Sequence, residues 1–508
     1  MVNQRRAGAL LSYIYIAVNS LIALIYLPIV KRALGTSEFG LYELAASIIN
    51  YMSVMDLGFG NGIVVFTSKY RAAERFEEEK KLHGMFSLIF KVIGVAAVIF
   101  GLVITLFTGS IFGNSLTAEE LPKARIIMAI ITANLGLTFP LSMYGSVVIA
   151  HEKFVFSKIL VILKAVLNPL IMLPILILGA DSIAMVSVMT VISVACNFSA
   201  YFYCKKRLGV SGKFIGFDKR IFKEVASYSA FIFIAEIVDK VNWSVDHIIL
   251  GIAKGTTEVT VYGMASNYNQ LVLQLSSALS GVMLPKISRM VEKKEGDSAL
   301  NREFIKTSRL QFFLIFLVTC GFVMFGHKFV IIHSGADCET SYYVAVILIV
   351  ASLIPITQSV AISIVKAKNL FRFRAFTILG MAIANIGISI PLAIKYGSVG
   401  SAIGTASALV FANIAILNVY YSKKCGIDIK GYWKNIGVMA LKFIPSIAVS
   451  LTLKLLFPLK GLFELLAYGS VFVLLYSLTS YFFVMNDYEK GLVKKYAGKL
   501  IPALGKKK

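Results

Sequence analysis

Apolar runs close to 20 residues long recur along nearly the whole of this chain, separated by short and mostly basic connectors. A run of that length is what a helix needs to cross about 30 Å of hydrocarbon. The runs place spans at about 9–30, 40–66, 84–107, 126–149, 155–178, 182–203, 225–253, 259–284, 310–326, 342–365, 375–394, 399–421, 435–457 and 462–484. The fold class that follows is an all-α integral membrane protein with about 14 transmembrane helices. Composition agrees: 57% of the residues are hydrophobic and 15% charged, whereas a soluble chain carries roughly a quarter charged.

The net charge of +24 does not point to nucleic acid, because of where it sits. Most Lys and Arg fall in alternate connectors, chiefly 68–84, 204–224 and 285–309, and in the C-terminal tail. Basic connectors stay inside, so the reading is a multi-pass protein with both termini cytoplasmic. The opening MVNQRRAG and the run after it read as a retained first helix, since Tyr13, Tyr15 and Asn19 interrupt the run and no small-residue cleavage site follows. The five cysteines form no CxxC pair, so neither a disulfide framework nor a zinc site is indicated. His327, His333, Asp337 and Glu339 share one outer connector and read as a solvated hairpin, with no metal assigned. No connector is long enough to hold a catalytic domain, and the chain is not expected to be an enzyme.

The two halves resemble one another. GTSEFGLY (35–42) matches GTTEVTVY (255–262), and AHEKFVF (150–156) matches AKNLFRF (367–373). In the same register Asn168 meets Asn385 and Pro174 meets Pro391; one inserted residue later Gly179 meets Gly397 and YCKK (203–206) meets YSKK (421–424). The expected organisation is a six-helix bundle at 1–209, a cytoplasmic linker at 210–224, a second six-helix bundle at 225–426, and helices 13 and 14 with a basic tail at 427–508. Six is an even number, so the halves enter from the same side. Such parallel repeats are related by an axis along the membrane normal, and transporters built so bind substrate at the repeat interface, here a central cavity.

Ionisable residues within the spans are the candidate site, because a charge near mid-bilayer is costly and usually faces a partner or water. FIFIAEIVDKVNWSVDHIIL (231–250) carries Glu236, Asp239, Lys240, Trp243, Asp246 and His247. At helical spacing these six lie within an arc of roughly 120°, which reads as a cavity wall; the alternative is an ion pair that glues helices together. Asn19 matches Asp239 in the repeat and is placed at the same cavity. Asp56, in MDLGFGNG (55–62), is read as lining the cavity or as a helix cap. Lys91 and Lys164 either face inward, to attract an anion, or snorkel to the interface.

The stretch LPIVKRALGTSEFGLYELAASIINYMSVMDLGFGNGIVVFTSKYRA (27–72) resembles the first-hairpin pattern of the Wzx-type polysaccharide-biosynthesis flippases. These belong to the multidrug/oligosaccharidyl-lipid/polysaccharide exporter superfamily. DHIILGIAKGTTEVTVYGMASNY (246–268) is similar to that family's seventh-helix ending. The resemblance implies alternating access that flips an undecaprenyl-pyrophosphate-linked oligosaccharide from the cytoplasmic to the outer leaflet of the bacterial cell membrane. It carries over only the positions Asp56 and Asp246. The partners it implies are that glycan, membrane lipids, and polysaccharide polymerase and glycosyltransferases. No cofactor is expected, although the acids leave room for Na⁺ or H⁺ coupling. The alternative function is a cation-coupled multidrug antiporter of the same superfamily.

Overall fold

The computed structural model describes residues 4–494 other than 211, 281–282, 369 and 457–460, and among these it is helical, with no strand. Nine of the described helices are long and apolar enough to cross a membrane; the bent pair Ser341–Thr357 and Ser359–Ala367 brings the number to ten. The shortfall from fourteen has local causes. The second expected span is two helices, Thr36–Met52 and Phe59–Ala72, joined by a 3₁₀ turn at Ser53–Asp56. The seventh, Lys219–Ala253, is a continuous helix that carries the charged stripe. The eleventh and twelfth run together as Phe371–Val410, broken at Gly397, where φ is +60°.

The chain packs as two compact units. The first comprises Met1–Leu271, Tyr343–Leu348 and Ala375–Leu409; the second comprises Val272–Tyr342, Ile349–Arg374 and Val410–Lys508. The first unit therefore includes the helix Lys219–Ala253 as well as the six spans before it.

Small residues explain how this unit is assembled. Without a hydrophobic drive between helices in lipid, close packing at small side chains is what holds spans together. A Cβ on Gly101 would lie 2.3 Å from Thr132 Oγ1, and one on Gly136 would lie 2.5 Å from Val98. These contacts join Phe76–Phe112 to Glu120–Ala150. The glycines of MDLGFGNG do the same on the other side. A Cβ on Gly58 would meet the Ser229 carbonyl at 2.7 Å, and one on Gly62 would meet Ser229 Oγ at 2.6 Å. Gly58 also has φ +71°, a conformation that glycine adopts without steric cost. The break in the second span and its close seat against Lys219–Ala253 thus meet at Gly58.

The second unit holds the appended helices Ile429–Leu456 and Leu462–Thr479. Arg309 anchors them. Its Nε donates to Glu489 Oε1 at 2.7 Å and its Nη2 to Glu489 Oε2 at 2.9 Å, while Nη1 reaches Asn435 at 3.2 Å. Glu489 is buried. Phe443 and Tyr476 stack 4.0 Å apart between the two helices. In this unit His327 pairs with Glu339 at 2.7 Å, and no group of three or more metal-type ligands occurs among the described residues.

Candidate functional site

A cavity of about 460 Å³ lies inside the first unit. Five helices wall it: Gln4–Leu34, Thr36–Met52, Phe154–Ile177, Ser182–Arg207 and Thr256–Ser280. Its polar lining is Tyr15, Asn19, Tyr26, Tyr42, Lys164 and Asn168, with Asn267 from the helix Thr256–Ser280. The volume lies in the usual range of ligand sites, about 300–1,000 Å³. Lys164 supplies the only formal charge among the described lining residues; no carboxylate is among them. Its ammonium donates to Ser193 Oγ at 3.2 Å. The Tyr26 side chain is 6% exposed, and its hydroxyl has no hydrogen-bond partner among the described residues. A buried phenol without a partner is unusual.

Of the residues expected at a cavity, Asn19 and Lys164 line this one. Lys91 is exposed on Phe76–Phe112 and lines neither this cavity nor the smaller one beside it. Asp56 acts on its own turn, where its Oδ1 accepts from the Gly58 amide at 2.6 Å. The side chains of Glu236, Asp239, Lys240 and Trp243 lie outside those described.

Asp246 is 1% exposed and is enclosed by hydroxyls. Ser401 Oγ donates to its Oδ1 at 2.5 Å; Tyr262 and Thr405 donate to its Oδ2 at 2.6 and 2.9 Å. Asn385 completes the group: its Oδ1 accepts from Ser389 at 2.8 Å and lies 3.1 Å from Thr405 Oγ1, whose single proton serves either it or Asp246. Beside this group lies His247, 5% exposed, its ring 5.3 Å from that of Tyr262 and its Nε2 3.9 Å from Glu43 Oε2. Neither ring nitrogen of His247 has a hydrogen-bond partner among the described residues. The two described members of the stripe are thus packed in protein and do not line the 460 Å³ cavity.

At one end of the unit, the end expected to face outward, the repeated motif meets its own second copy. Thr260 Oγ1 donates to the Thr36 carbonyl at 2.6 Å, and a Cβ on Gly40 would lie 2.1 Å from the Thr256 carbonyl. Glu120 joins the copies, its Oε1 accepting from both Ser37 Oγ and Thr256 Oγ1. Ser115 Oγ adds a bond to the Gly251 carbonyl at 2.7 Å. Polar links of this kind hold helix ends together.

The comparisons with known proteins agree with this architecture. The family model described as "Polysaccharide biosynthesis protein" matches residues 6–291, more than half of the chain. The chain belongs to the polysaccharide biosynthesis protein family. A putative O-antigen transporter of Shigella flexneri is 19% identical over 430 residues, covering 81% of this chain and 96% of that protein. Among solved structures, the lipid II flippase MurJ in an inward closed conformation superposes with a TM-score of 0.68 at 17% identity, covering 94% of this chain and 98% of that one. An inward-facing multidrug resistance MATE family transporter gives 0.66 at 12% identity, covering 82% and 95%. At these identities the structures speak for the fold, which this chain shares with both. These relatives are transporters and flippases, and none is an enzyme.

Sequence reasoning missed most of the cavity wall. Tyr42 and Asn267 look like ordinary span residues, and neutral groups carry no charge signal. Asn168 did carry one, since it pairs with Asn385 in the repeat. The matched asparagines do different work: Asn168 lines the cavity, while Asn385 joins the Asp246 group.

Proposed function

We propose that this protein flips an undecaprenyl-pyrophosphate-linked oligosaccharide from the cytoplasmic to the outer leaflet of the bacterial cell membrane, by alternating access, for surface polysaccharide assembly. The observation that carries this reading is the chemistry of the cavity wall: amides, phenols and one ammonium, with no carboxylate among the described residues. Amides and phenols hydrogen-bond sugar hydroxyls, and aromatic faces pack against sugar rings. The ammonium suits the phosphate, since lysine binds phosphate as a point charge. A site for cationic drugs calls for acids, and the acids Asp246 and Glu43 stand outside this wall. The substrate would come from cytoplasmic glycosyltransferases and pass to a polymerase on the far side.

Coupling to Na⁺ or H⁺ belongs to the same proposal. The Asp246 group offers oxygen donors alone, from a carboxylate, three hydroxyls and an amide carbonyl. Such a set suits a hard cation or a proton. These oxygens now bond one another, so an ion would take the place of hydroxyl protons.

The test is reconstitution in liposomes with a lipid-linked oligosaccharide, following exposure of the glycan to an impermeant lectin. The wild-type chain should speed exposure, and Lys164→Met should slow it. A fluorescent organic cation should not be moved. Dye transport without glycan exposure would make the protein a multidrug antiporter.

A further inference from the structure

A second cavity, of about 190 Å³, adjoins the first. It lies among the helices Glu120–Ala150, Phe154–Ile177 and Ser182–Arg207, and its wall includes Gly145, Val148, Leu160 and Cys196. Lys164 and Val161 line both cavities, so the two are neighbours and the ammonium borders each. The smaller cavity is the more apolar, and it reaches the unit's surface, where Ile149 and Val161 are exposed towards the region expected to be hydrocarbon.

We infer that the smaller cavity seats the first isoprene units of a polyprenyl phosphate whose phosphate is held by Lys164. The inference rests on the flippase reading and adds to it where the lipid, as distinct from the sugar, is gripped. Three features converge on it. A polyprenyl-linked glycan has a polar part, an anionic link and an apolar chain in that order. The wall offers an amide and phenol cavity, one ammonium, and an apolar slot in the same order. A lysine ammonium has three donors, and Ser193 takes one. The remaining donors are available to phosphate oxygens, and no carboxylate among the described lining residues competes for them. Finally, the slot has real space in it: a Cβ built on Gly145 meets nothing within 4 Å.

The slot carries its own reporter, Cys196. The experiment uses the full chain with Cys204, Cys320, Cys338 and Cys425 replaced by alanine, in lipid nanodiscs, and measures the rate at which a membrane-permeant maleimide modifies Cys196. Undecaprenyl phosphate is the probe; inorganic pyrophosphate and phosphatidylglycerol are the controls. Undecaprenyl phosphate should slow modification several-fold, and neither control should. Lys164→Met should remove the protection by taking away the phosphate ligand. Gly145→Leu should remove it by filling the slot, and it replaces a helix-interior glycine with a better helix former, so it should not cost folding. Equal protection by phosphatidylglycerol would make the slot a site for bulk lipid and overturn the inference. So would protection by pyrophosphate alone, or protection that survives Lys164→Met. Because the readout is binding, protection without glycan exposure in liposomes would sink the flippase reading and leave the slot standing. Glycan exposure without protection would do the reverse.

Discussion

Glu38 and Glu258 stand 220 residues apart and do the same thing. Each lies in the repeated GTSE/GTTE motif, in the first turn of its helix. Glu38 Oε2 accepts from the Ser182 amide at 3.1 Å, and Glu258 Oε2 accepts from the Ser398 amide at 2.7 Å. Ser182 and Ser398 each open the sixth helix of a half, shortly after the matched glycines Gly179 and Gly397, both at positive φ. A carboxylate at a helix start satisfies an orphan amide and complements the positive end of the helix dipole. The repeat has therefore preserved a device as well as a pattern of residues.

Each cap should be worth about 0.5–2 kcal/mol, the usual loss when a capping acceptor is replaced by alanine. Glu258→Ala should lower the melting temperature of the detergent-solubilised protein more than Glu258→Gln, which keeps an acceptor oxygen. Glu38→Ala should also cost its ion pair with Lys123. Equal melting of wild type and Glu258→Ala would show that water replaces the carboxylate without loss.

The closed end makes a kinetic prediction. Ser37 and Thr256 donate to the same oxygen of Glu120, so their side chains are neighbours. Cysteines at both positions should be bridged by a short bis-thiosulfonate reagent, and bridging should stop transport until a reductant is added. Alternating access requires this end to part. Transport that continues at full rate in the bridged protein would mean that the end is a fixed hinge.

Arg309 and Glu489 give the largest stability prediction. Glu489 is 2% exposed and its partner is held by three acceptors. Glu489→Ala strands a buried guanidinium, which typically costs about 3–5 kcal/mol. The expected result is a sharp fall in abundance, with partial recovery when Arg309→Met is added. Abundance unchanged by Glu489→Ala would mean that Asn435 and the Val484 carbonyl suffice for Arg309.

Much of this was legible in advance, and the exceptions have physical reasons. The all-helical membrane class and the family followed from apolar run length and from motif identity. The repeat places Asn19 at a cavity through its match with Asp239, while its place in the span leaves Lys164 between facing inward and snorkelling to the interface. The charged stripe was less informative. Helical spacing shows that Asp246 and His247 share a face with Lys240, but it cannot show what covers that face. In the structure hydroxyls on the helices Thr256–Ser280 and Phe371–Val410 reach Asp246, and those residues lie up to 159 positions away in sequence. Asp56 was ambiguous for a related reason, since one carboxylate can line a cavity or cap a turn and only backbone geometry decides.

A pH effect is expected at Asp218, which begins the helix Lys219–Ala253 on the exposed side of the linker. The amides of Ile221 and Arg220 donate to its carboxylate and hold its pKa below the ordinary aspartate value. A depressed folded-state pKa contributes stability above the unfolded value, and that contribution is lost as pH falls through the folded value. Amide hydrogen exchange at 219–223, compared with the intrinsic rates, should therefore show weaker protection only at acid pH. In Asp218→Ala the protection should be weak throughout. A wild-type protection factor flat through the acid range would show that the cap does not depend on the charge.

Asp246 offers the most discriminating test of coupling. Its two oxygens accept from three hydroxyls and it shares Thr405 with Asn385. Replacement by alanine leaves those hydroxyls buried without their acceptor, a loss of roughly 1–3 kcal/mol for each one unsatisfied, so Asp246→Ala should lower abundance whatever the function. Asp246→Asn is the informative variant. It keeps the shape and one acceptor oxygen while removing the negative charge that a cation or proton would need. If the group couples transport to an ion, Asp246→Asn should be present at near-normal levels and still flip glycan down its own gradient. It should lose the acceleration that an imposed Na⁺ or H⁺ gradient gives the wild type. Asp56→Asn, altered at a carboxylate that bonds its own turn, should keep that acceleration. An Asp246→Asn protein that responds to both gradients as the wild type does would make the hydroxyl group a structural clasp, and coupling would have to be sought elsewhere, first at Glu43 and His247.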